Sequence, residues 1–349
     1  MKIGMLTSGG DCQGLNAALR GVAKALYAHM PDLQLYGIAD GYRGLIEGIW
    51  RKMNPNEFSG ILREGGTILG TSRQPFKKMR DPDENNVDKI TKMINNYKNE
   101  KFDALVILGG NGTHKTAELL SRSGVNLVTL PKTIDNDVAG TDYSFGFDSA
   151  VSKATGFLDA IHTTAASHGR IFVVELMGNK TGWITLYAGM AGGADAILLP
   201  EIPYEIEEVQ NVIEKRIQSG KNFSIIAIAE GALSKEQAAL PKKERKNLNI
   251  TAGAYLVNAL GTLIDREVRL SVPGHFQRGG DPTPTDRVLC LRLGAMAAKM
   301  IIDKKFGHMA ALRGNSIVAV PLSEVAGKLK TVPPDSEIIS QARSVGIFI

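Results

Sequence analysis

The densest chemistry in this chain is the run Pro131-Lys132-Thr133-Ile134-Asp135-Asn136-Asp137, which follows an apolar stretch at 125–130. Two carboxylates, a hydroxyl and an ammonium within seven positions offer a base, a metal ligand and a positive charge in one turn of chain. Phosphoryl transfer needs those three, because its catalysis is mostly positioning and neutralisation of charge on phosphoryl oxygens. Other polar and glycine clusters also follow apolar runs: Ser8-Gly9-Gly10-Asp11, Gly109-Gly110-Asn111-Gly112-Thr113, Gly178-Asn179-Lys180 and Glu230-Gly231. One Gly-Gly turn after a strand is a routine connection. Its repetition at equivalent strand ends points to a shared anion site, since glycines admit backbone N–H groups close to phosphate and a following helix adds a favourable dipole.

The elements that must carry these clusters are legible as an alternation. Short apolar runs at 3–6, 35–39, 104–108, 125–130, 171–177, 196–199, 223–229, 268–272 and 317–320 read as strands. Amphipathic stretches at 15–30, 87–97, 149–166, 207–218, 252–264 and 287–302 read as helices between them. Such βαβ order implies mostly parallel sheets covered by helices, and near-continuous apolar runs suit strands buried on both faces. At 349 residues the chain exceeds one ordinary domain and the length favours two.

Composition narrows the class. Charged residues are 22% and hydrophobic ones 43%, an ordinary globular balance that excludes disorder. Cys12 and Cys290 are too far apart for a CxxC pair or a disulfide framework, which suits a reducing compartment. The start resembles a strand rather than a signal peptide, and no apolar stretch reaches membrane-spanning length, so a soluble cytoplasmic protein without a membrane partner is expected. The net charge of +5 is dispersed, and the one dense run, Lys242-Lys243-Glu244-Arg245-Lys246, reads as a solvated loop; nucleic acid is not an expected partner. A P-loop reading of Gly112-Thr113-His114-Lys115-Thr116 fails, because His114 stands where that loop needs glycine. In Gly274-His275-Phe276-Gln277-Arg278-Gly279-Gly280, with Arg269 upstream, an arginine could clamp phosphate and His275 a sugar hydroxyl. The plainer alternative pairs Arg278 with Asp281.

Six segments in order resemble the 6-phosphofructokinase family: 7–11 (Thr-Ser-Gly-Gly-Asp), 65–73 (Gly-Gly-Thr-Ile-Leu-Gly-Thr-Ser-Arg), 109–113, 131–137, 175–178 (Glu-Leu-Met-Gly) and 274–280. The likeness covers about residues 1 to 320. It implies two similar three-layer Rossmann-like α/β domains with mostly parallel sheets and the active site in the cleft between them. Residues 1–140 with about 277–318 would form the phosphate-donor domain, and 141–276 with about 319–349 the sugar-phosphate domain. The implied reaction moves a phosphoryl group from Mg-ATP to the 1-hydroxyl of fructose 6-phosphate, in a dimer or tetramer whose active sites are shared across an interface.

By position, the resemblance makes Asp135 the general base, with Thr133 and Lys132 beside it, and Asp137 a substrate-side Mg²⁺ ligand. A carboxylate next to an alcohol held among cations is all such proton transfer requires. Met177, Gly178, Glu230, His275 and Arg278 match sugar-phosphate positions, and Arg170 and Arg269 match arginines that reach the 6-phosphate from a neighbouring subunit. Gly10, Tyr42, Arg73, Gly109, Gly110, Asn111, Gly112 and Thr113 match the nucleotide side, Asn111 also standing at a metal position.

Glycine at 112 implies room for the α-phosphate of ATP, where pyrophosphate users carry an aspartate; Lys132 is shared with pyrophosphate users and with some ATP-using branches. Exclusion by size and charge outweighs an added cation, so ATP is the expected donor and pyrophosphate the alternative. The chain departs from the pattern at Asn111, where aspartate is usual, at Asn179, where arginine is usual, and at Gln13 and Thr116. In the effector pocket Arg20 and Lys221 fit, whereas Lys24, His162 and Ser219 occupy positions that are more basic in allosteric relatives. A non-catalytic regulatory member is a second reading, against which the retained Asp135 and Asp137 argue. A lipid or NAD kinase is a third, disfavoured by the 131–137 and 274–280 runs.

Overall fold

The computed structural model describes residues 1–84 and 86–349, excluding the side chain of Lys246. Its strands in chain order are β1 (Lys2–Ser8), β2 (Gln34–Ile38), β3 (Trp50–Lys52), β4 (Ala104–Gly109), β5 (Leu127–Pro131), β6 (Ile171–Leu176), β7 (Ala196–Leu198), β8 (Ser224–Ala229), β9 (Val268–Ser271), β10 (His308–Arg313) and β11 (Ser316–Pro321). They form two sheets in two compact units. The first unit comprises 1–149 and 278–330, the second 150–277 and 331–349. The first thus retains residues up to 330, beyond the expected limit near 318, because β11 returns antiparallel onto β10 and completes that sheet.

In the first unit the strand order is β11-β10-β5-β4-β1-β2-β3. The five inner strands run parallel, and β3 and β11 pair antiparallel at the edges. β4 is buried at all six positions, as a strand with helices on both faces must be. The Leu15–His29 helix crosses the Pro284–Ile302 helix where Gly21 and Gly294 meet; a Cβ on Gly294 would lie 2.6 Å from the Val22 nitrogen. Absence of side chains there brings the two helix backbones together over the sheet. A core on the opposite face gathers Leu45, Ile90, Met93, Leu105 and Leu120.

In the second unit the order is β7-β8-β6-β9, all parallel, with a core of Val173, Ile213, Ile226, Leu256 and Leu260. Each fully buried aliphatic side chain contributes about 1.5–3 kcal/mol relative to exposure. The basic run expected as a loop forms a short helix, Lys242–Asn247, that follows Pro241, whose ring sets the φ of a helix start. No helix among the described residues is long and apolar enough to cross a membrane.

Candidate active site

Strand register creates the site. Ser8 pairs with Gly109 across β1 and β4, and Gly109 pairs with Pro131 across β4 and β5. The three turns that follow, at 9–13, 110–113 and 132–137, therefore leave the carboxyl edge at one level, spread over about 10 Å of sheet. Chain order reverses direction between β1 and β4, the place where open parallel sheets leave a crevice.

Cations converge on the first of these turns. Lys132, only 3% exposed, sends its ammonium to the Gly10 carbonyl. Burial lowers its pKa, and Arg278 adds to this, while Asp135 and Asp11 hold it up. Arg278 donates to the Asp11 carbonyl at 2.9 Å. A Cβ on Gly10 would sit 3.1 Å from the Arg278 guanidinium and 3.3 Å from that of Arg73. Arg278 thus lies in the first unit against the phosphate-type turn, and Asp281 approaches Arg63 instead. Gln13 is fully buried and donates to Gly279 O at 2.9 Å, tying the first turn to the residue after Arg278.

The second turn opens the Asn111–Arg122 helix. Its glycines have different reasons. A Cβ at Gly109 would collide with Thr113, whereas one at Gly112 meets nothing within 4 Å. Gly112 is exposed, so its lack of a side chain leaves space outside the protein. Tyr42, expected among nucleotide contacts, is 1% exposed and donates to Thr113 O at 2.9 Å, supporting the turn from beneath. A large apolar ring gains more in the core than at the surface, which is why it sits there. His114 is also buried; its Nδ1 donates to Gly110 O at 2.8 Å, and burial pulls it down to about 4, leaving the imidazole neutral at pH 7.

The third turn separates its two carboxylates by a left-handed residue. Asn136 has φ 50°, a conformation that asparagine tolerates better than most side chains. Its Oδ1 accepts from Ser144 N at 3.0 Å and Lys330 Nζ at 2.9 Å. Thr133 Oγ accepts the Asp135 N–H at 3.1 Å, fixing the start of the turn. Asp135 is partly exposed; Asp137 is 7% exposed. Burial raises the Asp137 pKa, opposed by a hydrogen bond from Asn111 and by Lys132 and Lys330.

A divalent cation fits here only with outside help. Asn111 Oδ1 is buried and accepts no hydrogen bond, next to the Asp137 carboxyl. No group of three His, Cys, Asp or Glu among the described residues could hold a metal. One carboxylate and one amide oxygen suit Mg²⁺, which commonly takes its other ligands from substrate phosphates and water. The Asn111 amide group donates to Lys328 O at 2.9 Å and Asp137 O at 3.3 Å, which an aspartate in that place could not do.

In the second unit, Leu176 and Ala229 are register partners, so Met177–Gly178 and Glu230 emerge together. Glu230 accepts from Gly178 N at 3.1 Å and Asn179 N at 2.6 Å. Asn179 has φ 54°, which gives its departure from arginine a local backbone reason. His275 is exposed in the Gly274–Arg278 turn. Arg170 and Arg269, on neighbouring strand segments, both pair with Glu267. Those pairings draw the Glu267 carboxyl below its usual range, the Arg170 hydrogen bond first. His162 Nε2 donates to Gly192 O, 2.7 Å away, and the ring packs edge-on against Phe223, a structural use.

Sequence reasoning passed over Lys330, whose ammonium also reaches Thr141 O at 2.9 Å and Asp142 O at 2.7 Å. Burial pulls it down to about 8, with Asp142 and Asp137 holding it up. A lone lysine 193 positions beyond Asp137 carries no local signal, and only the fold brings the two together.

The family model for Phosphofructokinase matches residues 2–301. An "ATP-dependent 6-phosphofructokinase" of Spirochaeta thermophila is 51% identical over 98% of this chain and 96% of its own. An "ATP-dependent 6-phosphofructokinase 3" of Bacteroides thetaiotaomicron is 47% identical over 99% of both. The phosphofructokinase structure from Saccharomyces cerevisiae superposes with a TM-score of 0.79 at 31% identity, over 93% of this chain and 45% of that longer one. Identity near one half over nearly all of both sequences goes well beyond a shared architecture, and the glycine turns and acidic turn lie within the matched residues; this chain belongs to the phosphofructokinase family.

Proposed function

We propose that the protein transfers the γ-phosphoryl group of ATP to the 1-hydroxyl of fructose 6-phosphate, forming fructose 1,6-bisphosphate in glycolysis. The observation that carries this reading is the common level of the three turns after β1, β4 and β5, which sets Asp135 and Asp137 beside two anion-type turns and a buried ammonium. Asp135 takes the proton from the sugar hydroxyl as its oxygen attacks phosphorus. Lys132, Arg278 and Arg73 around Gly10 balance charge on the phosphoryl oxygens, where preorganised cations are worth most. Asp137 and Asn111 would hold Mg²⁺, which when bound neutralises the donor phosphates. Met177, Gly178, Glu230 and His275 serve the sugar phosphate.

Open space at Gly112 supports ATP as donor over pyrophosphate, as do relatives named ATP-dependent. A lysine at 132 serves either donor. Arg170 and Arg269 bind the 6-phosphate of the subunit opposite, and the enzyme is a homo-oligomer working in the cytoplasm. The purified protein with Mg²⁺ and fructose 6-phosphate is expected to form product at least about tenfold faster with ATP than with pyrophosphate, a difference of about 1.4 kcal/mol. Coupled assays with each donor decide it; preference for pyrophosphate reverses the donor assignment, and no product with either supports the regulatory reading.

A further inference from the structure

The segment 328–330 is pinned to the acidic turn by contacts that all lie within the first unit. Lys330 N–H donates to Asp137 O at 2.9 Å, and Leu329 forms an antiparallel bridge with Val138. Asn111 joins the two segments, with its amide on Lys328 O and Asp137 O. The Lys330 ammonium reaches Asn136 Oδ1, Thr141 O and Asp142 O at 2.7–2.9 Å.

Those acceptors lie on both sides of the bend. Asn136 is the left-handed residue between the two carboxylates, is 2% exposed, and its backbone conformation decides where Asp135 and Asp137 stand relative to one another. Its Oδ1 is shared by Ser144 and Lys330, so removing the ammonium removes a charged donor from a buried carbonyl oxygen. Thr141 O and Asp142 O belong to the return of the same loop, and one cation thereby closes the loop from 136 to 142. A charge-assisted bond to a buried acceptor is roughly twice as strong as a neutral one. Of the other cations nearby, Lys132 is directed to Gly10, and Arg313 reaches the loop only at Gly140 O, 3.3 Å away.

We propose that Lys330 is a positioning residue for the phosphoryl transfer: it holds the 136–142 loop so that Asp135 meets the sugar hydroxyl, and Asn111 is its second pin. The inference rests on Asp135 being the base. It concerns kcat rather than substrate affinity, because the Lys330 ammonium meets Asn136, Thr141 and Asp142, none of them assigned to sugar or nucleotide. Misplacement of a reacting group by about 1 Å costs about 10²-fold in rate; β10 still holds the return of the loop at Thr141 and Asp142, so the freedom gained is at Asn136, between the two carboxylates.

The test compares wild type with K330M, which keeps the length of the side chain without its charge, and with K330Q, which keeps a donor. K330M is expected to lose about 10²-fold in kcat, with KM for fructose 6-phosphate and ATP within threefold and a melting temperature near wild type. K330Q is expected to recover part of the loss, and K330A to respond to added propylamine, which can occupy the vacated place. A folded K330M with kcat within twofold of wild type overturns the proposal, as does a kcat loss that neither K330Q nor propylamine reverses. Crystal structures of K330M read the loop independently of turnover. If Asn136 and both carboxylates keep their places, Lys330 does not position them; if they shift, the device stands even should the wild type prove inactive on these substrates, which would instead overturn the proposed function.

Discussion

At the scale of single residues, the structure separates glycines the fold requires from one it does not. Gly109 must be glycine because a side chain would strike Thr113, whereas Gly112 could carry a Cβ into open space. Nothing in the backbone demands glycine at 112, and the proposed donor site gives a reason for a small residue there. G112D is therefore expected to fold with an unchanged melting temperature, to raise KM for ATP at least about tenfold through like-charge exclusion, and to leave pyrophosphate use nearly untouched. Steady-state kinetics with both donors check this; an unchanged KM for ATP would remove size and charge at 112 from the account of donor choice. Asn111 and Asn179, which look like losses when set against the family pattern, each have local work: the first donates to two carbonyls, the second takes a left-handed turn.

At the scale of elements, two helix starts are tied by one carboxylate. Asp286, in the first turn of the Pro284–Ile302 helix, accepts from Gly146 N at 3.1 Å, Ser149 N at 2.9 Å and Ser149 Oγ at 2.5 Å, so it caps the Phe147–His168 helix from another element. Thr283 caps the helix of Asp286 in turn and donates to Asp148. Burial pushes Asp286 up to about 6, more than its hydrogen bonds draw it down. The native state then holds a proton that the unfolded chain has released between pH 3.8 and 6. The contribution of Asp286 is complete below that window and falls as pH rises through it, by up to about 3 kcal/mol at 1.36 kcal/mol per pK unit. D286A is expected to destabilise by about 1–3 kcal/mol near pH 4, with the gap to wild type narrowing towards pH 7. Urea unfolding at the two pH values measures it, and a gap that widens with pH would mean that the ionised carboxylate is the better cap.

At the scale of the whole molecule, the half-buried Arg170 and the exposed Glu267 and Arg269 form a triad in which one carboxylate occupies two guanidinium groups. A phosphate dianion is a stronger partner for paired arginines than a carboxylate, so the triad suits exchange of Glu267 for a ligand. If the arginines serve a neighbouring subunit, two defects in different chains can complement. R269A and D135S are each expected to be nearly inactive alone. Unfolded together in equal amounts and refolded, they are expected to regain about a quarter of wild-type activity, since half of the paired interfaces then hold one intact site of two. Activity no greater than the sum of the parents would place both residues in one chain's site.

The alternation of apolar runs and amphipathic stretches determined the α/β class, because buried parallel strands leave long hydrophobic runs such as 104–108 and 223–229. Chemistry written in contiguous motifs was equally legible, as in the 131–137 turn. Two strands, the edge strand β3 and the inner strand β10, were not. β3 is three residues long with Arg51 and Lys52 exposed, and β10 mixes His308 and Arg313 with small residues, so both gain their conformation from a neighbouring strand. The support Tyr42 gives the second turn was not legible either, because a hydroxyl in a motif does not reveal which way its ring faces. Only the tertiary structure brought Lys330 to Asn136 and Arg278 to the first turn. Contacts between residues 194 and 267 positions apart depend on strand register and chain return, and neither leaves a trace in local composition.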